Sequence, residues 1–136
     1  MNGVGRWLPG LGRVFLSLIF FVTCYGDITG WGRSTAYMAS KGIPAASILL
    51  AGAVALKLIG SLSLILGLKV RFGAIVLMLF LIPTTLIMHD FWMAAGADRE
   101  MQLTEFLKNV GLLGGLFQVI AFGSGPPASP VRSPRR

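Results

Sequence analysis

The sequence predicts an all-α protein, a membrane-embedded four-helix bundle with a short interfacial helix between its first and second spans. Composition is the first sign. Of 136 residues, 54% are hydrophobic and only 12% are charged, with a mean hydropathy of +0.76. A soluble domain keeps roughly a quarter of its residues charged to cover its surface. Arrangement is the second sign: the apolar residues gather into four stretches. Each is close to the roughly 20 residues of helix needed to cross a hydrocarbon core of about 30 Å.

The first stretch, residues 11–28, reads LGRVFLSLIFFVTCYGDI, with charges only near its ends. Arg6 and Arg13 before an apolar run resemble a secretory signal, and FVTC hints at a lipoprotein site. Threonine before the cysteine fits such a site poorly, and no small-x-small cleavage pattern follows, so the segment reads as a retained span. The next segment, TGWGRSTAYMASKGIP, is too polar to cross, although Trp31, Tyr37 and Met38 give it an apolar side. That pattern predicts a short amphipathic helix at the interface, ended by Lys41-Gly42 before Pro44.

The second span, 45–68, is rich in small residues and carries one internal charge, Lys57. The third, 72–89, has no formal charge before His89; its Pro83 removes a backbone hydrogen bond and should kink the helix. The fourth covers 103–122. Residues 1–125 then form one four-span domain. Residues 126–136, PPASPVRSPRR, read as a disordered basic tail whose end meets anionic lipid.

The net charge of +7 does not point to nucleic acid, because the basic residues lie in short clusters between apolar runs. Arg6, Arg13, Lys69, Arg71, Arg132, Arg135 and Arg136 fall on one side of the predicted topology. Arg33, Lys41 and Arg99 fall on the other, together with all five acidic residues. The positive-inside rule therefore places both termini in the cytoplasm. A single cysteine, Cys24, excludes an internal disulfide and a CxxC redox pair within one chain.

Depth, counted at about 1.5 Å per residue, gathers the polar residues. Asp27 and His89 lie near outer ends of spans, and Glu105, Lys108 and Asn109 in the first turns of the fourth. Lys57 lies about 12 residues into the second span, roughly 18 Å down, with a side chain able to snorkel outward. An unpaired lysine there costs on the order of 3 kcal/mol. Its candidate partners are Asp27, Glu105 and neutral His89. Glu105 already has Lys108 at i+3 spacing, which leaves Asp27.

Asp27, Lys57, His89, Glu105, Lys108 and Asn109 thus form a candidate polar pocket, with Trp31, Phe91 and Trp92 as an aromatic flank. The preferred reading of those aromatics is an interfacial belt. Gly52, Ala53, Gly60, Ser61 and Gly67, like Gly111, Gly114 and Gly115, suit close helix packing. His89 beside Asp90 is a weak metal signal. No metal site and no catalytic residue is expected.

The segments AYMASKGIP, HDFW and FLKNVGLLGGL resemble the DoxX family of small four-span bacterial membrane proteins, a similarity running from residue 13 to 125. The resemblance implies a compact bundle in the inner membrane and redox surroundings, since relatives resemble subunits of a thiosulfate:quinone oxidoreductase. Another member is described with superoxide-detoxifying and sulfur-transfer partners. Family members commonly carry a lysine where this chain has Asp27, and a glutamate where it has Lys57. The resemblance implies an ion pair carried here with its charges exchanged.

The expected function is a non-catalytic membrane component of a redox or oxidative-stress complex. It would contact the lipid bilayer, and either a soluble redox partner or a second copy in a homo-oligomer. The alternative is an oxidoreductase subunit that binds a quinone or another small molecule in the polar pocket. A transporter is disfavoured, because four spans show no inverted repeat.

Overall fold

The computed structural model describes residues 3–125, so the predicted tail at 126–136 lies outside the described residues. Five helices follow in order: α1 (Gly3–Thr29), α2 (Trp31–Ser40), α3 (Ala46–Leu66), α4 (Val70–Met88) and α5 (Gly96–Phe122). A 3₁₀ turn, Phe91–Met93, lies between the last two. Four of them, all but α2, are long and apolar enough to cross a membrane. They form a bundle in the order α1, α3, α4, α5, and the closing seam between α5 and α1 is much the loosest of the four. Helix α2 packs against α3 and α1 at one end, the α2 end; the α3–α4 turn and the two chain ends lie at the other, the terminal end.

The helix ends follow local chemistry. After α2, Gly42 takes the left-handed conformation (φ 77°), and Pro44 follows two residues on. Helix α3 ends on left-handed Gly67 (φ 71°), with the Leu68 N–H donating to the Ser63 carbonyl at 3.0 Å, a Schellman closure. Helix α4 continues through Pro83, and the Thr84 and Thr85 hydroxyls donate to the carbonyls of Phe80 and Leu81 one turn back.

Two boundaries differ from expectation. Helix α1 begins at Gly3 rather than near residue 11, and α5 begins at Gly96 rather than near 103. Hydropathy marks the part of a helix that suits lipid, not its whole length. The added segment of α5, GADREMQ, is too polar for a hydrocarbon core. It holds good helix formers, and Asp98 in its first turn favours the positive end of the helix dipole.

The core joins all four long helices through Phe20, Leu64, Leu77, Leu81, Leu116 and Val119. On α3 the buried residues are Leu50, Lys57, Gly60, Ser61 and Leu64, one stripe at helical spacing. Lys57 therefore points inward with the apolar core residues. Large apolar side chains such as Phe15, Val22, Leu79 and Phe117 face outward, as lipid-facing positions require.

The tightest approach in the bundle is α3 against α4. A Cβ added at Gly60 would overlap the Leu77 side chain, and one added at Gly73 would overlap Ser63. Both glycines are buried, and Leu77 is fully buried as well, so it has no free space to enter. Gly60→Leu, overpacking this contact, should cost about 1–3 kcal/mol or more and lower the thermal midpoint in detergent. Gly52→Leu, at a position with open space around it, should leave the midpoint nearly unchanged.

Candidate functional site

The α2 half of the bundle encloses a cavity of about 540 Å³ to which all five helices contribute. Helix α1 supplies Phe20, Thr23 and Asp27, and α2 supplies Ser34, Tyr37 and Met38. Leu50 and Lys57 come from α3, Phe80, Pro83 and Thr84 from α4, and Glu105, Lys108, Asn109 and Leu112 from α5; His89 lines it just beyond α4. All six polar residues singled out in the sequence thus border one space. The three aromatic residues expected to flank it do not. Trp31 donates its indole N–H to Ser47 at 2.8 Å, and Phe91 and Trp92 stack edge-on with Phe106. The aromatic walls are Phe20, Phe80 and Tyr37 instead.

Lys57 is only 2% exposed, and it donates to Asp27 Oδ2. The other carboxylate oxygen, Oδ1, accepts from the Ser34 hydroxyl at 2.9 Å. One carboxylate therefore ties α1 to both α2 and α3. The Lys57 ammonium also lies 5.1 Å from the centroid of the Phe80 ring, a cation–π distance. Of the three partners weighed for Lys57, Glu105 pairs with Lys108 at i+3 and His89 turns elsewhere. Just below the pair, the buried Cys24 thiol faces the Val54 carbonyl at 3.7 Å.

A second polar group closes the α2 end. Gln102 Nε2 donates to the Tyr37 hydroxyl at 3.3 Å, which donates in turn to the Met88 carbonyl at 3.2 Å. With the amide so oriented, its Oε1 accepts from His89 Nδ1 at 3.0 Å. Lys41 pairs with Asp90 at 2.5 Å. That hydrogen bond raises the Lys41 pKa above the ordinary lysine value, against a smaller opposing effect of burial. A raised lysine pKa gives stability that is present at neutral pH and lost only as pH rises through the folded value.

Ser34, Tyr37, Gln102 and the Lys41–Asp90 pair were not foreseen as parts of the site. For α2 a signal existed: Ser34, Tyr37, Met38 and Lys41 follow i, i+3, i+4, i+7 spacing, one face of a helix.

Asn109 is the member with spare capacity. It is 5% exposed and lines the cavity, and its side-chain amide makes no hydrogen bond among the described residues. Its amide atoms open onto the cavity rather than being sealed in protein, so their donors and acceptor are left for something within it. The ionised side chains there balance: Asp27 with Lys57, Glu105 with Lys108.

Fold and composition thus define a multi-pass membrane protein with a polar cavity inside its bundle. The comparisons then name its relatives. The DoxX family model matches residues 8–90, and the chain belongs to the DoxX family. The inner membrane protein YphA of Escherichia coli K12 is 25% identical over 115 residues, covering 85% of this chain and 82% of that protein. Inner membrane protein YqjF of the same strain is 26% identical over 113 residues, covering 83% and 82%. The ER-derived vesicles protein ERV29 of Saccharomyces cerevisiae is 31% identical over 72 residues, 53% of this chain and 23% of that one. No solved structure matches. The chain is accordingly an integral, multi-pass inner-membrane protein.

Asp27→Lys or Lys57→Glu alone should each cost about 3–5 kcal/mol by stranding a buried charge, read as a lowered melting midpoint in detergent. The double exchange should recover most of the loss; additive damage would mean that the two side chains do not interact. At the rim, Lys41→Met should speed hydrogen exchange of the α2 amides at neutral pH and leave those of α4 unchanged.

Proposed function

We propose that this DoxX-family protein is a non-catalytic, small-molecule-binding component of a membrane redox system, and that its ligand is a quinone-sized amphipathic molecule. The observation that carries the reading is the cavity of about 540 Å³ lined by all six polar residues. Its volume falls in the range of ligand pockets, about 300–1,000 Å³, and its lining is mainly apolar with a few placed polar groups. Because its ionised groups pair off, a neutral ligand enters without stranding a charge. Asn109 and the remaining N–H groups of Lys57 are donors suited to a ligand carbonyl, and Phe20, Phe80 and Tyr37 suit a ring.

In this reading both termini face the cytoplasm and the cavity opens in the outer leaflet. The support is the charge distribution, with basic residues concentrated at the terminal end and all five acids at the α2 end. The loose α1–α5 seam is the natural entrance for a molecule partitioned in lipid. The redox setting, and a soluble partner or second copy, rest on the resemblance to DoxX relatives.

Lipid extraction of protein purified from native membranes in mild detergent, followed by chromatography and mass spectrometry, tests the ligand. About one quinone per chain is expected for the wild type, and much less for Asn109→Leu. A wild-type protein that carries no quinone and only co-purifies with a soluble partner would leave the supporting role and sink the ligand.

A further inference from the structure

A second cavity, about 610 Å³, lies in the same α1–α5 seam at the terminal end, bordered by Gly12, Arg13 and Leu16 of α1 and Gly115, Val119 and Phe122 of α5. We propose that this groove is a binding site for one acidic phospholipid, its phosphate held by Arg13 and one acyl chain lying along the seam. Nothing in this site depends on the cavity at the α2 end.

Arg13 is the first argument. A guanidinium has five N–H donors, and among the described residues Arg13 makes one side-chain hydrogen bond, to the Ser124 carbonyl at 2.7 Å. Its Nε is the one buried side-chain nitrogen or oxygen among the described residues without a partner. That nitrogen is closed off by protein, so an acceptor in the groove would bond the N–H groups of the two terminal nitrogens that the Ser124 bond leaves free. Its depth says which acceptor. Arg13 packs against Gly67, which closes α3, and bonds Ser124, just past α5. That is the level at which those helices leave the hydrocarbon, where lipid phosphates lie.

Charge complementarity is the second argument. Arg6, Lys69 and Arg71 share this end of the bundle with Arg13, and every acidic residue of the chain lies at the other end. Of these four, Arg13 is the one that lines the groove, while Arg71 donates to the Ala121 carbonyl at the end of α5. Residues 126–136 carry three arginines and no acidic side chain. The groove's shape fits a chain rather than a compact ion. A Cβ at Gly12 would meet nothing within 4 Å, so that glycine leaves room beside the apolar walls, whereas at Gly115 a Cβ would come within 3.1 Å of Leu16, where the two helices are already in contact.

The test is native mass spectrometry of the full-length chain in detergent, titrated with dioleoyl phosphatidylglycerol or dioleoyl phosphatidylcholine. The wild type should retain one phosphatidylglycerol in preference, by about fivefold for one arginine. Arg13→Gln should abolish that preference and Arg6→Gln should keep it. Gly12→Leu retains every charge but fills the trough, and should also lose the lipid with unchanged helicity by circular dichroism; it carries the test if Arg13→Gln does not fold. Equal retention of both lipids by the wild type, or undiminished preference in Gly12→Leu, overturns the site. So does a Gly12→Cys to Val131→Cys cross-link that forms equally with phosphatidylglycerol present, since it would assign the groove to residues 126–136.

Discussion

The architecture turns on one ion pair. Lys57 sits in the middle of a helix that is otherwise apolar, on the same stripe that buries Leu50 and Leu64. A cation there is cut off from bulk solvent, so it must bring a carboxylate inward, and Asp27 is the one it brings. That requirement fixes the rotation of α1 against α3. It also recruits α2, because the second oxygen of Asp27 takes the Ser34 hydroxyl. Three helices are thus oriented by one carboxylate. A purely apolar contact between α1 and α3 would allow rotation about either helix axis; this one does not.

The bundle is built in two halves of different character. Towards the terminal end, Phe20, Leu64, Leu77 and Leu116 interlock in a dry core, and the α3–α4 glycines bring backbones close. Towards the α2 end the helices part around polar residues, and α2 lies over the opening. Most of the adhesion comes from the first half, which leaves the second free to hold a hollow. The same division explains the seam: in the terminal half α5 meets α1 where Gly115 faces Leu16, and Ser124 just beyond it bonds Arg13, yet in the other half α5 borders the cavity with Asn109 and Lys108.

Much of this was legible in the sequence because lipid imposes simple rules. Spans are long and apolar, charges inside them need partners, and depth can be counted along a helix. Those rules found the four spans, the helix between the first two, the Lys57–Asp27 pair and the six polar residues around the cavity. They failed where azimuth or water decides. Trp31, Phe91 and Trp92 have the right depth but the wrong direction, and nothing in local sequence distinguishes the two. The early starts of α1 and α5 were missed because a helix that leaves the bilayer keeps its hydrogen bonds while losing its hydropathy. Gln102 was missed for the same reason, since it belongs to that polar extension.

The separation of Asp27 and Lys57 by thirty residues has a consequence for biogenesis. A ribosome adds about 5–20 residues per second, so the first span reaches the translocon with its carboxylate a few seconds before the lysine is made. Asp27 tolerates that wait because it lies two residues from the end of α1, within reach of water. Lys57, in the middle of its helix, has no such refuge. The chain therefore presents the counterion first and the costly charge second, and α3 enters a membrane in which its partner already stands.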